Sequence, residues 1–368
     1  MPFGPLALTW RTPSPNPPNS SPLPCGITRS YISTPSGPLE LLTALPPKDD
    51  FSNPPLFFAH GGFGCASVWL SYMQFFASCG YPCYAVSYRG HGNSWYPSLW
   101  RMYMTPMSTM GDDLVAGMRY VEEAETKRRG LEHGKKAEVV LIAHSEGGAL
   151  GQDVLSRGLV HVKAFCMCAT APGFGFLSIY KFWSLSALIH FSYRLFHPRY
   201  MLANTAQVRS AFFTPSTPKP VVQALERLLS PYESMLWLMQ TLFCVVIGGD
   251  VLSSITGWGS RKAIPASKTR GSKGIPGRLL VLAAERDVLC RPDILLGVAQ
   301  RYCAAFSDLV REGKIEGVSE VDLRAEKEQG VVWDGVGFQV VKGLGHHLQN
   351  HEDWEAGADV IWRWLRRL

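Results

Sequence analysis

Charge is scarce in this sequence. Asp, Glu, Lys and Arg make up 18% of its 368 residues, and 36 basic against 30 acidic side chains leave a formal charge of only +6. Apart from short groups such as Lys127–Arg129 and Arg366–Arg367, the basic residues are scattered, so no strip of positive charge offers itself to a nucleic-acid backbone. Long hydrophobic runs are missing too. The most apolar stretch, Met235–Ile247, is shorter than the about 20 residues a bilayer requires, and it ends at Gly248-Gly249-Asp250. Met1–Pro24 is rich in Pro and Ser and lacks the apolar core of a secretory signal. The nine cysteines are odd in number and lack the paired spacings of a disulfide framework or zinc site. Cys166 and Cys168, two apart in an apolar run, would share one face of a strand as small core hydrophobes. The C-terminal Arg-Arg-Leu puts a bulky residue where a peroxisomal address has a small one. A cytoplasmic, reducing setting is therefore expected.

Apolar residues, at 46%, suffice for a sizeable core. Gly26–Ser33 and Leu39–Ala44 flank Thr34-Pro35-Ser36-Gly37, which predicts a hairpin. Strands are then expected at Leu56–Ala59, Pro82–Ser87, Glu138–His144, Val162–Cys168, Arg278–Ala284 and Gly337–Val341. Helical patterns lie between them at Ala66–Cys79, Met107–Thr126, Gly147–Arg157 and Asp293–Val310, with a last amphipathic segment at Trp354–Leu368. Such alternation predicts an α/β fold, a mostly parallel sheet with helices on both faces. It breaks between Pro172 and about Pro276. There an aromatic series (Phe174, Phe176, Tyr180, Phe182, Trp183, Phe191, Tyr193, Phe196, Phe212, Phe213, Tyr232, Trp237, Phe243) predicts several inserted helices, and Gly257–Gly277 reads as a linker. The expected division is a Pro-rich, disordered tail over 1–25, a core over 26–171 and 277–368, and a helical insert over 172–276.

Four motifs carry chemistry. Ala143-His144-Ser145-Glu146-Gly147-Gly148 follows an apolar strand and opens a helical run, the context in which a sharp turn lifts a nucleophilic hydroxyl out of the sheet. Ala59-His60-Gly61-Gly62-Phe63-Gly64 follows another strand, and its glycines let the chain aim backbone N–H groups at a developing oxyanion. Gly62 and Glu146 are the expected donors, and the Glu146 carboxylate would also suit a helix N-terminus. A phosphate loop is excluded, because no Lys-Ser, Lys-Thr or dinucleotide spacing follows. Asp287 ends the strand Leu280–Ala284 as the expected carboxylate partner of an imidazole, with Glu285 and Asp293 as rivals. His346, in Gly343-Leu344-Gly345-His346-His347, is the expected general base, with His347 as its rival. His60, His91 and His144 are expected to stabilise loops. The order Ser145, Asp287, His346 is one of the known triad orders.

With these residues, the chain from Gly26 onward resembles the lid-bearing α/β-hydrolase superfamily. Tyr88-Arg89-Gly90-His91-Gly92-Asn93-Ser94 is similar to a structural loop of that family, with Arg89 as its anchor; Ser87 stands where many relatives carry an acid. The resemblance implies that the insert is a cap placed before the acid-bearing strand. It also implies that a Ser145 acyl-enzyme forms without metal or cofactor. Epoxide hydrolases and haloalkane dehalogenases of this fold carry Asp at the nucleophile position, so Ser145 argues against both. The expected activity is hydrolysis of a carboxylic ester, lactone or thioester of an apolar acyl compound, the aromatic insert suggesting the substrate class. A lyase, cyclase or acyltransferase using the same triad is the alternative, as is a ligand receptor on the same scaffold.

Overall fold

The computed structural model describes residues 12–18, 22–48, 51–175, 192, 194, 196–259, 277–315, 318, 320, 323, 332–333 and 335–368. The hairpin forms as expected. β1 (Ile27–Ile32) pairs antiparallel with β2 (Leu39–Ala44), and Thr34 Oγ1 donates to Gly37 O at 2.6 Å across the turn. β3 (Leu56–Ala59), β4 (Cys83–Val86), β5 (Val140–His144), β6 (Ala164–Cys168), β7 (Leu279–Ala284) and β9 (Val336–Val341) lie parallel to one another. With the short β8 (Val332–Trp333) on the far edge, the sheet runs β1-β2-β4-β3-β5-β6-β7-β9-β8.

Alternation along β3 shows why helices cover both faces. Phe57 and Phe58 are both fully buried but point oppositely. Phe57 packs where α3 (Met107–Arg128) comes close: a Cβ at Gly117 would lie 2.9 Å from its ring. Phe58 meets Trp69 at 5.0 Å and Phe76 at 6.1 Å, in the 3-10 turn Ala66–Trp69 and α1 (Leu70–Ser78). α4 (Glu146–Ser156) lies on the Phe57 side, its Gly151 against Leu141 and Phe165. Runs such as Leu56–Ala59 and Leu279–Ala284 are therefore buried on both faces and apolar throughout. Each buried Phe contributes about 1.5–3 kcal/mol. α9 (Pro292–Arg311) follows β7, and α10 (Trp354–Leu365) closes the chain on α1. A short helix, α2 (Leu99–Tyr103), precedes α3.

Between β6 and β7 the chain leaves the sheet for α5 (Thr205–Phe212), α6 (Lys219–Leu228), α7 (Met235–Gln240) and α8 (Gly248–Ser253). Asn204 and Ser234 cap α5 and α7 by accepting Gln207 N–H and Trp237 N–H. The expected linker begins in ordered structure. Trp258 is buried, donates to Leu252 O at 3.0 Å and packs 4.7 Å from Phe306, because an indole ring is too large to leave in water cheaply. Residues 260–276 lie outside the described residues, as do Phe176, Tyr180, Phe182, Trp183, Phe191 and Tyr193. Within the Pro-rich segment, Ser14 exchanges two backbone hydrogen bonds with Tyr96, at 2.9 and 2.7 Å. Among the described residues, no helix is long and apolar enough to cross a membrane.

Candidate active site

Every expected site residue lies at or just past the C-terminal end of a parallel strand, where an open α/β sheet places its ligands. Ser145 follows β5 with φ 53° and ψ −128°, a left-handed conformation costing about 1–3 kcal/mol. The surroundings enforce it by close approach. A Cβ on Gly61 would lie 2.7 Å from Ser145 Cβ, and one on Gly147 would lie 2.2 Å from His60 O. Ala143 replaces the first glycine of the usual pattern without strain, since it is an ordinary buried residue of β5.

The structure brings Ser145, His346 and Asp287 together. His346 Nε2 lies 2.8 Å from Ser145 Oγ, and its Nδ1 lies 2.8 Å from Asp287 Oδ2. With Nδ1–H donating to the carboxylate, Nε2 is left to accept the serine proton. Asp287 is steadied by Leu289 N–H and Cys290 N–H, which donate to Oδ1 at 2.8 and 2.9 Å. The rivals lie elsewhere. Glu285 accepts Gly343 N–H at 2.9 Å, bracing the loop that carries His346, and Asp293 pairs with Arg291 in solvent. His347 turns to Asn350 Oδ1 at 2.8 Å, and burial pushes its pKa down to about 3. His144 donates from Nε2 to His346 O at 2.9 Å and is kept neutral by burial and by His347 and His346. Phe212, from α5, stacks on the His346 ring at 5.7 Å.

Asp287, Cys290 and His346 could in principle hold a metal, their ligand atoms lying within 4.8 Å of one another. The set suits a cation poorly. Burial, with Asp287 adding to it, raises the Cys290 thiol far above its ordinary pKa, which opposes the thiolate that a metal needs.

On the other side of Ser145 the loop 60–64 supplies N–H groups. Gly62 N–H meets no acceptor among the described residues, and Glu146 N–H heads α4, where no intrahelical acceptor exists. The neighbouring N–H groups are taken: Gly64 donates to Gly61 O at 3.0 Å and Phe63 to Glu233 Oε2 at 2.6 Å. The Glu146 side chain departs from expectation. It is buried, and desolvation, reinforced by Glu233 and only partly relieved by Thr241, raises its pKa to about 8. Loss of water outweighs a helix-terminus attraction of about 0.3–1 kcal/mol, so near pH 7 Glu146 is a neutral acid rather than a charge at the dipole.

The loop 88–94 is anchored as expected. Arg89 holds Asp113 bidentately at 2.8 and 2.6 Å, while His60 donates to Gly61 O and accepts Tyr88 N–H. Ser87 is compensated from the next strand: its Oγ donates to Glu40 Oε2 at 2.7 Å, so an acid reaches that point from β2. Sequence reasoning missed Glu40 and Glu233, whose partners lie far along the chain. An acid in an apolar, aromatic insert with few charges was the one available signal, since such a group requires a partner if it is buried. Of the insert's described aromatics, Phe212, Phe213, Tyr232 and Trp237 are buried and Phe174 is half-buried; Phe196 and Phe243 are exposed.

Comparisons with known proteins agree with this fold. A sequence model of the alpha/beta hydrolase family matches residues 56–360. No curated protein sequence matches the chain. Among solved structures, a thermophilic esterase from Thermogutta terrifontis is similar at 16% identity and TM-score 0.56, over 92% of this chain and 98% of that one. The carboxylesterase CesB from Bacillus subtilis is similar at 17% identity and TM-score 0.54, over 93% of each chain. The esterase EaEST from Exiguobacterium antarcticum is similar at 14% identity and TM-score 0.55, over 92% of this chain and 100% of that one.

Proposed function

From the premise that the chain belongs to the alpha/beta hydrolase family, and with it to the hydrolase enzymes, we propose that it cleaves a carboxylic ester, lactone or thioester through an acyl-enzyme on Ser145. The observation that carries this reading is the unbroken line Asp287–His346–Ser145, with 2.8 Å at each junction. His346 Nε2 takes the Ser145 proton as Oγ bonds to the carbonyl carbon. Asp287 holds the imidazole orientation and stabilises the imidazolium. The negative charge forming on the carbonyl oxygen is received by Gly62 N–H and Glu146 N–H. His346 then delivers its proton to the departing oxygen or sulfur, and the bond to the acyl carbon breaks. Water repeats the sequence and releases the acid, returning the proton to Ser145.

The segment 172–276 acts in this reading as a cap. Support comes from α5 and α7, which bring Phe212 against His346 and Leu238 within 3.6 Å of where a Gly62 side chain would begin. These two apolar contacts favour an apolar acyl group. The buried Trp237 and Tyr232 contribute to the packing of the insert and carry no weight for specificity. A panel of p-nitrophenyl esters of rising acyl length, run beside Ser145→Ala, tests the reading. Turnover with a chain-length optimum, lost in the variant, is the expected result; equal rates in both proteins would overturn it.

A further inference from the structure

Resting on the acyl-enzyme reading above, we propose that Glu233, carried by the insert between β6 and β7, is a positioning residue for the oxyanion loop. It engages Phe63 N–H, leaving Gly62 N–H as the loop's donor to substrate. Phe63 is a non-glycine residue at φ 60°, a conformation that persists only where neighbours over-determine it. Both of its backbone polar groups are captured by the insert: its N–H donates to Glu233 Oε2 at 2.6 Å, and its carbonyl accepts Ser230 N–H at 2.7 Å. Ser230 Oγ also donates to Gly64 O at 3.4 Å. The strained step next to Gly62 is thus clasped from the insert.

The clasp is itself locked. Glu233 is fully buried, its Oε1 accepts Ser234 N–H at 2.7 Å, and its Oε2 also faces His91 Nε2 at 3.0 Å. His91 Nδ1 lies 2.9 Å from Arg89 O. Both imidazole nitrogens face acceptors, an arrangement that favours the doubly protonated ring. Burial opposes that charge, but Glu233 overrides it and raises the His91 pKa. The cation matters for chemistry. Glu233 Oε2 lies 3.5 Å from where a Gly62 Cβ would stand, and an uncompensated anion there would repel the oxyanion. Glu233 and His91 together align the loop while adding no net charge beside it.

Glu233→Ala and Glu233→Gln, assayed with a p-nitrophenyl ester and with a medium-chain alkyl trifluoromethyl ketone, test this. The ketone forms a tetrahedral adduct whose oxyanion sits in the hole. Glu233→Ala is expected to lower kcat about a hundredfold, the scale of losing one oxyanion donor, with KM changing less than about threefold. The inhibition constant of the ketone should weaken in parallel. Glu233→Gln, whose amide oxygen can still accept Phe63 N–H, should recover most of the loss. A folded Glu233→Ala with unchanged kcat and ketone affinity would overturn the proposal, as would a loss confined to KM. Should the Ala variant not fold, Glu233→Asp, whose shorter side chain withdraws the carboxylate from Phe63 N–H, carries the test: a parallel fall in kcat and ketone affinity supports the proposal, and a lowered Tm with both unchanged overturns it. A wild-type chain that turns over no ester, and whose Ser145 a fluorophosphonate does not label, overturns the underlying reading and the proposal with it.

Discussion

The two sides of Ser145 are built from different parts of the chain. On the proton-transfer side, Asp287 and His346 both extend from core strands, β7 and β9, which are hydrogen-bonded neighbours. On the oxyanion side, the loop after β3 is core, but Glu233 and Ser230 of the insert hold the backbone of its strained residue. The base side takes its acid and base from the sheet and meets the insert at Phe212, which stacks on His346 and accepts His347 N–H at 3.0 Å, whereas on the oxyanion side the insert holds the loop's own N–H and C=O. Changes at Glu233 should therefore act on transition-state charge more than on proton transfer.

Substitutions on each side sharpen the contrast. The largest effect belongs to the base side: Asp287→Asn should lower kcat about 10⁴-fold, because the amide favours the wrong imidazole tautomer. Steady-state rates on a p-nitrophenyl ester check this, and a loss below tenfold would break it. Glu233→Ala comes next, at about a hundredfold. Glu146 then gives the oxyanion side a pH signature. Its pKa is raised to about 8, so it is neutral below that pH and becomes an anion beside its own oxyanion N–H as pH rises through it. Rates should fall above pH 8, by about tenfold at pH 9 if the anion is inactive, while Glu146→Gln stays flat across that range. A pH–kcat profile with the same alkaline limb in both proteins would contradict this.

The smallest effect is on stability. His347 has its pKa lowered to about 3 from 6.5, chiefly by burial. Its contribution to stability is therefore complete above pH 6.5 and is lost as pH falls toward 3, where the unfolded chain binds the extra proton. That slope is at most about 1.4 kcal/mol per pH unit. His347→Gln should flatten the decline in denaturant-unfolding free energy between pH 6 and pH 4. An unchanged slope would place the acid sensitivity in other groups, such as His60 and His144, which are also buried with lowered pKa.

Most of the sheet was legible because its central strands are short, fully buried apolar runs bounded by turn residues. Leu56–Ala59 was read to the residue, and Glu138–His144 starts two residues early against Val140–His144. Leu99–Tyr103 and Val332–Trp333 were not anticipated, being too short to show periodicity. At the site, local motifs identified Ser145, Gly62, Asp287 and His346 as candidates, since each sits on a strand end with its own glycine or turn signal. Glu233 and Glu40 have no such signal. Glu233 meets Phe63 across 170 positions and Glu40 meets Ser87 across 47, distances over which no spacing rule operates. The raised pKa of Glu146 was not legible for a related reason: its place at a helix N-terminus is visible in sequence, whereas loss of water is a property of the assembled fold.

The proposed reaction requires Ser145 to form a bond to the acyl group. Intact-mass measurement on the protein, mixed with a p-nitrophenyl ester and acid-quenched within the first turnovers, tests that directly. A mass gain equal to the acyl group, mapped by peptide digestion to Ser145 and absent from Ser145→Ala, is the predicted result. Nitrophenol release with no adduct on Ser145, or an adduct on another residue at equal yield in the variant, would contradict it.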